Sequence, residues 1–546
     1  MKLKSQQTRQ ITIFLFFINF LFFTSVSAAT YYVSTTGNDN GAGSMSNPWK
    51  TIQKAANVMV AGDTVLIRGG VYMGQVIVST SGASGAYITY KNYNGEEVII
   101  DGGMTHFTEG HTALFYIKRA SYIKAIGINV KNIGDGVYDN SYDQSGFIAE
   151  FTHHITIKDC STYNTFSSGI FITDSHDIII DNNTIKLACN GGENECISMQ
   201  RSFKFEIKNN KVSDGSRIPL ANLHGGEGID VKQGSHDGSI HHNSVSDLPS
   251  KLGIYVDSYK EHTYNIDVYQ NIVHDCIGGF ALSSEWGGVL ENIKLYNNIA
   301  YHNSYYGFNI TSWDEALTNV HPMKDISIIN NTAYNNKWNG QNWGGGIIIA
   351  NKDGQNIIVR NNICSQNIEQ IFLPEALNLN QVKVDHNLID GPQSSTNFGT
   401  DFIIGDPKFT DASNAKFELE LGSLAIDAGS PDAAPHNDYK GGARPAGATY
   451  DIGAYEYGAT LALTNYKDTN LLVYPIPTKD ILYIENFDKT ELKATIFDSN
   501  GKEVLHKILK SNKNSFSVKS LSKGIYFLKI ESPTINKAKN IKFIVN

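Results

Sequence analysis

The chain has 546 residues, 41% of them hydrophobic and 11% aromatic, which supplies a large apolar core and excludes a disordered string. Charged residues make up only 18%, and 49 Gly against 13 Pro in a middle dense in Asn, Ile, Val and Tyr point to short strands joined by turns, not to helical bundles or coiled coils. The net charge of −9 is unevenly spread: Lys2, Lys4 and Arg9 open the chain, and Leu472 to Asn546 holds 13 Lys against 7 Asp or Glu, which leaves −18 on the body and excludes nucleic acid as its partner.

In chain order, the three N-terminal cations precede an apolar run from Ile11 to Phe23 and the small residues Ser25 to Ala29. That order is read as a secretory signal peptide over residues 1–29. No later stretch approaches ~18 uninterrupted apolar residues, so no membrane span is expected after cleavage. Tyr31 to Ser34, the amphipathic stretch Trp49 to Val60 and Gly62 to Ile67 then read as strand, helix and first coil. The helix is expected to plug the open end of a stack that otherwise exposes its core and unpaired edges.

The centre repeats. A polar pair followed by an apolar residue recurs at Asn182-Asn183, Asn209-Asn210, His242-Asn243, Gln270-Asn271, Asn297-Asn298, Asn330-Asn331, Asn361-Asn362 and His386-Asn387. Successive second members stand 27, 33, 28, 27, 33, 31 and 25 residues apart. An alternating strand precedes each marker, and after most loops a Gly-led strand follows, as in Gly228-Ile229-Asp230-Val231 and Gly253-Ile254-Tyr255-Val256. Units of that size without helical period predict an all-β, right-handed parallel β-helix wound once per repeat, each strand pairing with its copy ~4.8 Å away. Leucine-rich repeats and propellers share the period, but their leucine and Trp-Asp signatures are missing. Stacked Asn amides are expected to hydrogen-bond along the axis.

The N-terminal strand and helix, with the closing segments Ser423 to Gly429 and Asp451 to Glu456, resemble extracellular β-helix proteins of the pectate lyase-like superfamily over residues 30–458. That resemblance implies carbohydrate chemistry. After a linker at 459–471, the Lys-rich alternating strands of residues 472–546, with Val473 to Thr478, Gly501-Lys502 and Gly524 to Ile530, resemble the C-terminal sorting domain of the type IX secretion system. Ile476 stands where that family usually carries Asn. The resemblance implies a small β-sandwich-like domain that engages the secretion machinery and an exported protein; a monomer is expected.

Coil stacking turns repeat position into spatial neighbourhood. Counting from the strand glycine, Asp230, Lys232, Asp257 and Glu285 fall on one outer face within adjacent coils and are the expected catalytic residues. Glu195 and Glu227 precede the glycine position in neighbouring coils. With Asp230 and Asp257 they are the expected ligands of calcium, since acids at coil spacing repel unless a cation sits among them. Arg201, Tyr255, Tyr259, Trp286 and Trp313 are the expected polysaccharide contacts. Two mechanisms suit this set: β-elimination with Lys232 as a base of lowered pKa, which is ranked first, and hydrolysis by the Asp257 and Glu285 pair. A non-catalytic glycan-binding or adhesive β-helix is the third reading. Five cysteines are too few for a disulfide scaffold; Cys189 and Cys196 are spaced to bridge one loop or to remain free packed thiols.

Overall fold

The computed structural model describes residues 28–459 and 471–545, apart from 108–109, 136–142, 192–193, 216–224, 315–319, 338–342, 375–376, 475–477, 487–491, 499–500, 510–512 and 532–537. The signal peptide reading therefore falls almost wholly, and the linker reading largely, outside the described residues.

From Thr30 to Ile404 the chain winds into parallel strands that pair coil upon coil, the right-handed parallel β-helix that the repeat predicts. One wall is a sheet of 13 strands; the other two walls join through Ser244–Asp257 and Ile272–Glu285, strands long enough to turn the corner. The reason is the alternation within each strand. In Phe203–Lys208, Phe205 and Ile207 point inward and are buried while Lys204, Glu206 and Lys208 face out. The inward column of Ile, Val and Phe makes one continuous core along the axis.

The turns are held by the predicted ladder. Asn183, Asn210, Asn243, Asn271, Asn298, Asn331, Asn362 and Asn387 are all buried, and each Nδ2 donates to the Oδ1 of the next at 2.9–3.0 Å. Each backbone N–H donates to that same Oδ1, as from Asn271 to Asn298 at 3.0 Å. The residue before each ladder Asn sits at positive φ (Asn182 55°, Asn297 54°, Asn361 55°), a conformation Asn tolerates, which is why the polar pair marks the corner.

The helix Ile52–Val58 covers the N-terminal end with Ile52, Ala55 and Ala56 buried. Thr51 caps it by accepting from the Lys54 N–H at 3.1 Å. Towards the other end, residues 423–457 pack along three coils: Asn297, Asn330 and Asn361 donate to the carbonyls of Asn437, Asp451 and Ser430. Buried Arg444 pairs with Glu456 at 3.2 Å. Residues 471–545 form two antiparallel sheets around their own core of Leu482, Ile484, Ile496, Leu528 and Phe543, in agreement with a small sandwich-like domain.

Candidate active site

Register carries the predicted residues onto one wall. Ser198 lies beside Asp230, Asp230 beside Tyr255, Tyr255 beside Ala281 and Ala281 beside Asn309. In the next outward row Gln200 lies beside Lys232 and Asp257 beside Ser283, and beyond them Glu285 lies beside Trp313. Their alternates Ile229, Val231, Ile254 and Val256 point into the core. The expectation that this wall faces open solvent is wrong: Asp230 is 1% and Asp257 2% exposed. Asn194 and Glu195, from the segment before Cys196, close over it: Ser198 Oγ donates to Glu195 Oε2 at 2.7 Å and Gln200 Nε2 reaches Asn194 Oδ1 at 3.4 Å.

Lys232 sits at the centre. Its ammonium pairs with Glu195 Oε1 and lies 3.2 Å from Asp230 Oδ2. Burial alone lowers a lysine pKa, but Glu195, Asp230 and Asp257 together outweigh it and hold Lys232 well above the usual lysine range. The direction is opposite to the expected lowered pKa: the acids around Lys232 favour its ammonium form. The carboxyls move the other way. Burial, reinforced by Glu285 and Glu195, pushes Asp257 well above the carboxylate range, and burial does the same to Asp230 although Lys232 opposes it. Asp230 Oδ1 is buried with no hydrogen-bond partner. Glu227, behind Glu195, is raised by burial and by the Glu195 charge, with Lys251 opposing.

The four residues assigned to calcium do not converge on one point. Glu195 is engaged by Lys232 and Ser198, and Asp257 Oδ1 accepts from the Tyr259 N–H at 2.8 Å. Among the described residues no three His, Cys, Asp or Glu side chains are grouped to hold a metal ion. The oxygen donors suit calcium chemically, and the Lys232 ammonium lies among them, paired with Glu195 and 3.2 Å from Asp230.

Glu285 differs from the other acids. Tyr255 donates its phenol proton to Glu285 Oε1, which with Lys232 resists the burial that raises the Glu285 pKa. Behind it the Ser284 carbonyl accepts from His321 Nδ1 at 2.9 Å while His321 Nε2 lies 3.2 Å from buried Asp314 Oδ2. This anchors the chain just after Trp313, whose ring meets Trp286 edge-on with centroids 5.8 Å apart. Lys260 Nζ lies over both Tyr259 and Trp286, at 4.9 and 5.1 Å. Arg201 is drawn aside: it forks onto Asp174 at 2.9 and 3.0 Å and reaches Gln233 and Thr173, upstream of the cluster. These contacts use four of its five N–H donors, and the side chain stays 43% exposed.

Three contributors escape the repeat-position argument. Asp143, in the strand Asp143–Glu150, is pushed up to about 6 by burial and accepts from Asn194 Nδ2 at 2.9 Å and Ser145 Oγ at 2.8 Å. Lys251 is buried within the long strand Ser244–Asp257. His321 follows a loop. None occupies a glycine-counted position; the acid one residue before Gln144-Ser145-Gly146 was the one available signal.

Comparison with known proteins agrees on scaffold and export. Residues 31–195 match the family model "Pel9A-like, right handed beta helix region", residues 145–333 match "Right handed beta helix region", and residues 472–546 match "Secretion system C-terminal sorting domain". The last places the protein outside the cell, secreted or at the cell surface by the type IX route. The uncharacterized protein YwoF of Bacillus subtilis is 26% identical over 444 residues, 72% of this chain and 91% of its own. Pectate lyase PEL9 of Emericella nidulans is 27% identical over 233 residues, 40% of this chain and 47% of its own. The crystal structure of pectate lyase Pel9A aligns with a TM-score of 0.49 at 14% identity, covering 79% of this chain and 97% of that one. The Pel9A-like match, the pectate lyase relative and the sorting domain support a secreted carbohydrate-active protein.

Proposed function

We propose that the protein hydrolyses glycosidic bonds of an extracellular polysaccharide, with Asp257 as proton donor and Glu285 as the carboxylate that activates water or attacks carbon. The observation that carries this reading is the unequal treatment of two acids on adjacent coils. Burial drives Asp257 well above the carboxylate range, and it raises Glu285 too, but there the Tyr255 hydroxyl and Lys232 pull against the rise. Two carboxyls with separated proton affinities are what acid-assisted cleavage requires. One coil step and two residues of strand put their Cα atoms roughly 8 Å apart, within which side chains span the separations of either stereochemical course. Lys232 then keeps Glu195 and Asp230 compensated, and Tyr259, Trp286 and Trp313 offer ring faces to sugars.

The second reading is β-elimination on a polyuronate, favoured by the pectate lyase relative and the Pel9A-like match. That match ends at Glu195, short of the strands that bear Asp230, Lys232, Asp257 and Glu285. A lysine held protonated by buried acids is also poorly suited to removing a carbon-bound proton. Incubation with a panel of polyuronates and neutral glycans decides between them. New reducing ends without near-ultraviolet absorbance are expected; unsaturated, absorbing products overturn hydrolysis, and no product from any glycan favours a binding protein.

A further inference from the structure

We propose that Cys189 and Cys196 are joined by a disulfide in the exported protein, a covalent clip on the loop that carries Asn194 and Glu195. All five cysteines are buried, but their surroundings differ. Cys160 Sγ and Cys276 Sγ each lie against a carbonyl two residues back, that of Lys158 at 3.1 Å and of His274 at 3.3 Å. Cys189 Sγ likewise faces the Asn194 carbonyl at 3.0 Å and Cys196 Sγ the Gly226 carbonyl at 3.9 Å, but these two thiols also stand within hydrogen-bonding reach of one another. A side chain at Gly215 would come within 2.8 Å of Cys196 Sγ, so the absence of one leaves the sulfur its room.

The compartment supplies the chemistry. The protein is exported, where disulfides form and persist. The co-reactant is a protein disulfide of the extracytoplasmic thiol-oxidase class. One cysteine thiolate attacks it, releasing an oxidant thiolate and leaving a mixed disulfide. The second cysteine displaces the other oxidant sulfur, so the two thiols lose two protons and two electrons and the oxidant becomes a dithiol. Burial then sets the timing: in the closed coil the Cys189 thiol is surrounded by Cys196, Glu195 and Glu227, which discourage the thiolate, so the exchange belongs to folding after export. Once made, the clip ties both ends of the segment whose Asn194 binds Asp143 and whose Glu195 binds Lys232.

Both cysteines lie in one tryptic peptide, between Lys186 and Arg201. The protein recovered from the medium is denatured without reductant, alkylated with iodoacetamide, digested and weighed. The expected peptide is lighter than the dithiol form by two hydrogens, takes no label, and takes two labels after reduction. A doubly labelled peptide before reduction overturns the proposal, as does a crosslink from Cys196 to the peptide carrying Cys276. Cys189→Ser is expected to leave Cys196 fully alkylatable, and Cys160→Ser to leave the crosslink intact. Should Cys189→Ser fail to fold, the wild-type masses decide alone.

Discussion

Two columns of polar side chains run along the same stack, and they differ in whether each member finds its partner in the next coil. In the Asn column the residues are identical and neutral, and every amide is matched at 2.9–3.0 Å. In the column Ser198, Asp230, Tyr255, Ala281, Asn309 no two are alike, the flanking row adds Lys232 and Asp257, and Asp230 Oδ1 is buried without a partner. A saturated column can only hold the coils together. An unsaturated one, crowded with buried acids around Lys232, holds the raised proton affinities on which the proposed hydrolysis rests.

The largest effect expected from breaking the second column is on turnover. Glu285→Gln keeps an oxygen for the Tyr255 hydroxyl but cannot carry charge, so hydrolysis should fall on the order of 10³-fold, about 4 kcal/mol of barrier, with circular dichroism unchanged. Asp257→Asn should match it. Steady-state rates on the glycan that the wild type cleaves read the outcome, and activity within a few-fold of wild type in Glu285→Gln would remove it from the chemistry.

Breaking the first column should cost stability and leave chemistry alone. Asn298→Ala strips the acceptor of the Asn271 N–H and Nδ2 and the donor to the Val268 carbonyl, all buried. Two or three unsatisfied groups predict a loss of about 3 kcal/mol, seen as a lowered thermal midpoint with kcat intact at permissive temperature. An unchanged midpoint would mean that the ladder follows from the coil without stabilising it.

The contrast also explains what the sequence discloses. A matched column must repeat its residue, so Asn183 through Asn387 announce coil, corner and register in the bare sequence. The register of Asp230, Lys232, Asp257 and Glu285 is legible for the same reason, since they inherit their rows from the glycine-led strands. Their burial was not legible, because Asn194 and Glu195 close over the wall from an irregular loop that no period describes. The raised Lys232 pKa follows from that burial: exposed acids leave a lysine near normal, whereas buried ones raise it. Arg201 pairs with Asp174 of the preceding coil, a partner that repeat position does not reveal.

The smallest effect sharpens the comparison at the edge of the site. Asp143 supports the unsaturated column through Asn194, and burial pushes its carboxyl up to about 6. A carboxyl whose folded pKa exceeds its unfolded value binds its proton more tightly in the native state. Its stabilising contribution is therefore complete below pH ~4 and is lost as pH rises through about 6. Asp143→Asn mimics the protonated form, keeps an acceptor for Asn194 Nδ2, turns its amide N–H towards Ser145 Oγ, which now accepts instead of donating, and cannot ionise. The variant should equal wild type near pH 4 and exceed it by about 2 kcal/mol above pH 7, the gap opening between those values. Thermal midpoints of both proteins across that range measure it. A pH-independent difference would mean that Asp143 is already ionised in the fold, and would move the origin of the raised proton affinities inward, to Asp230 and Asp257 alone.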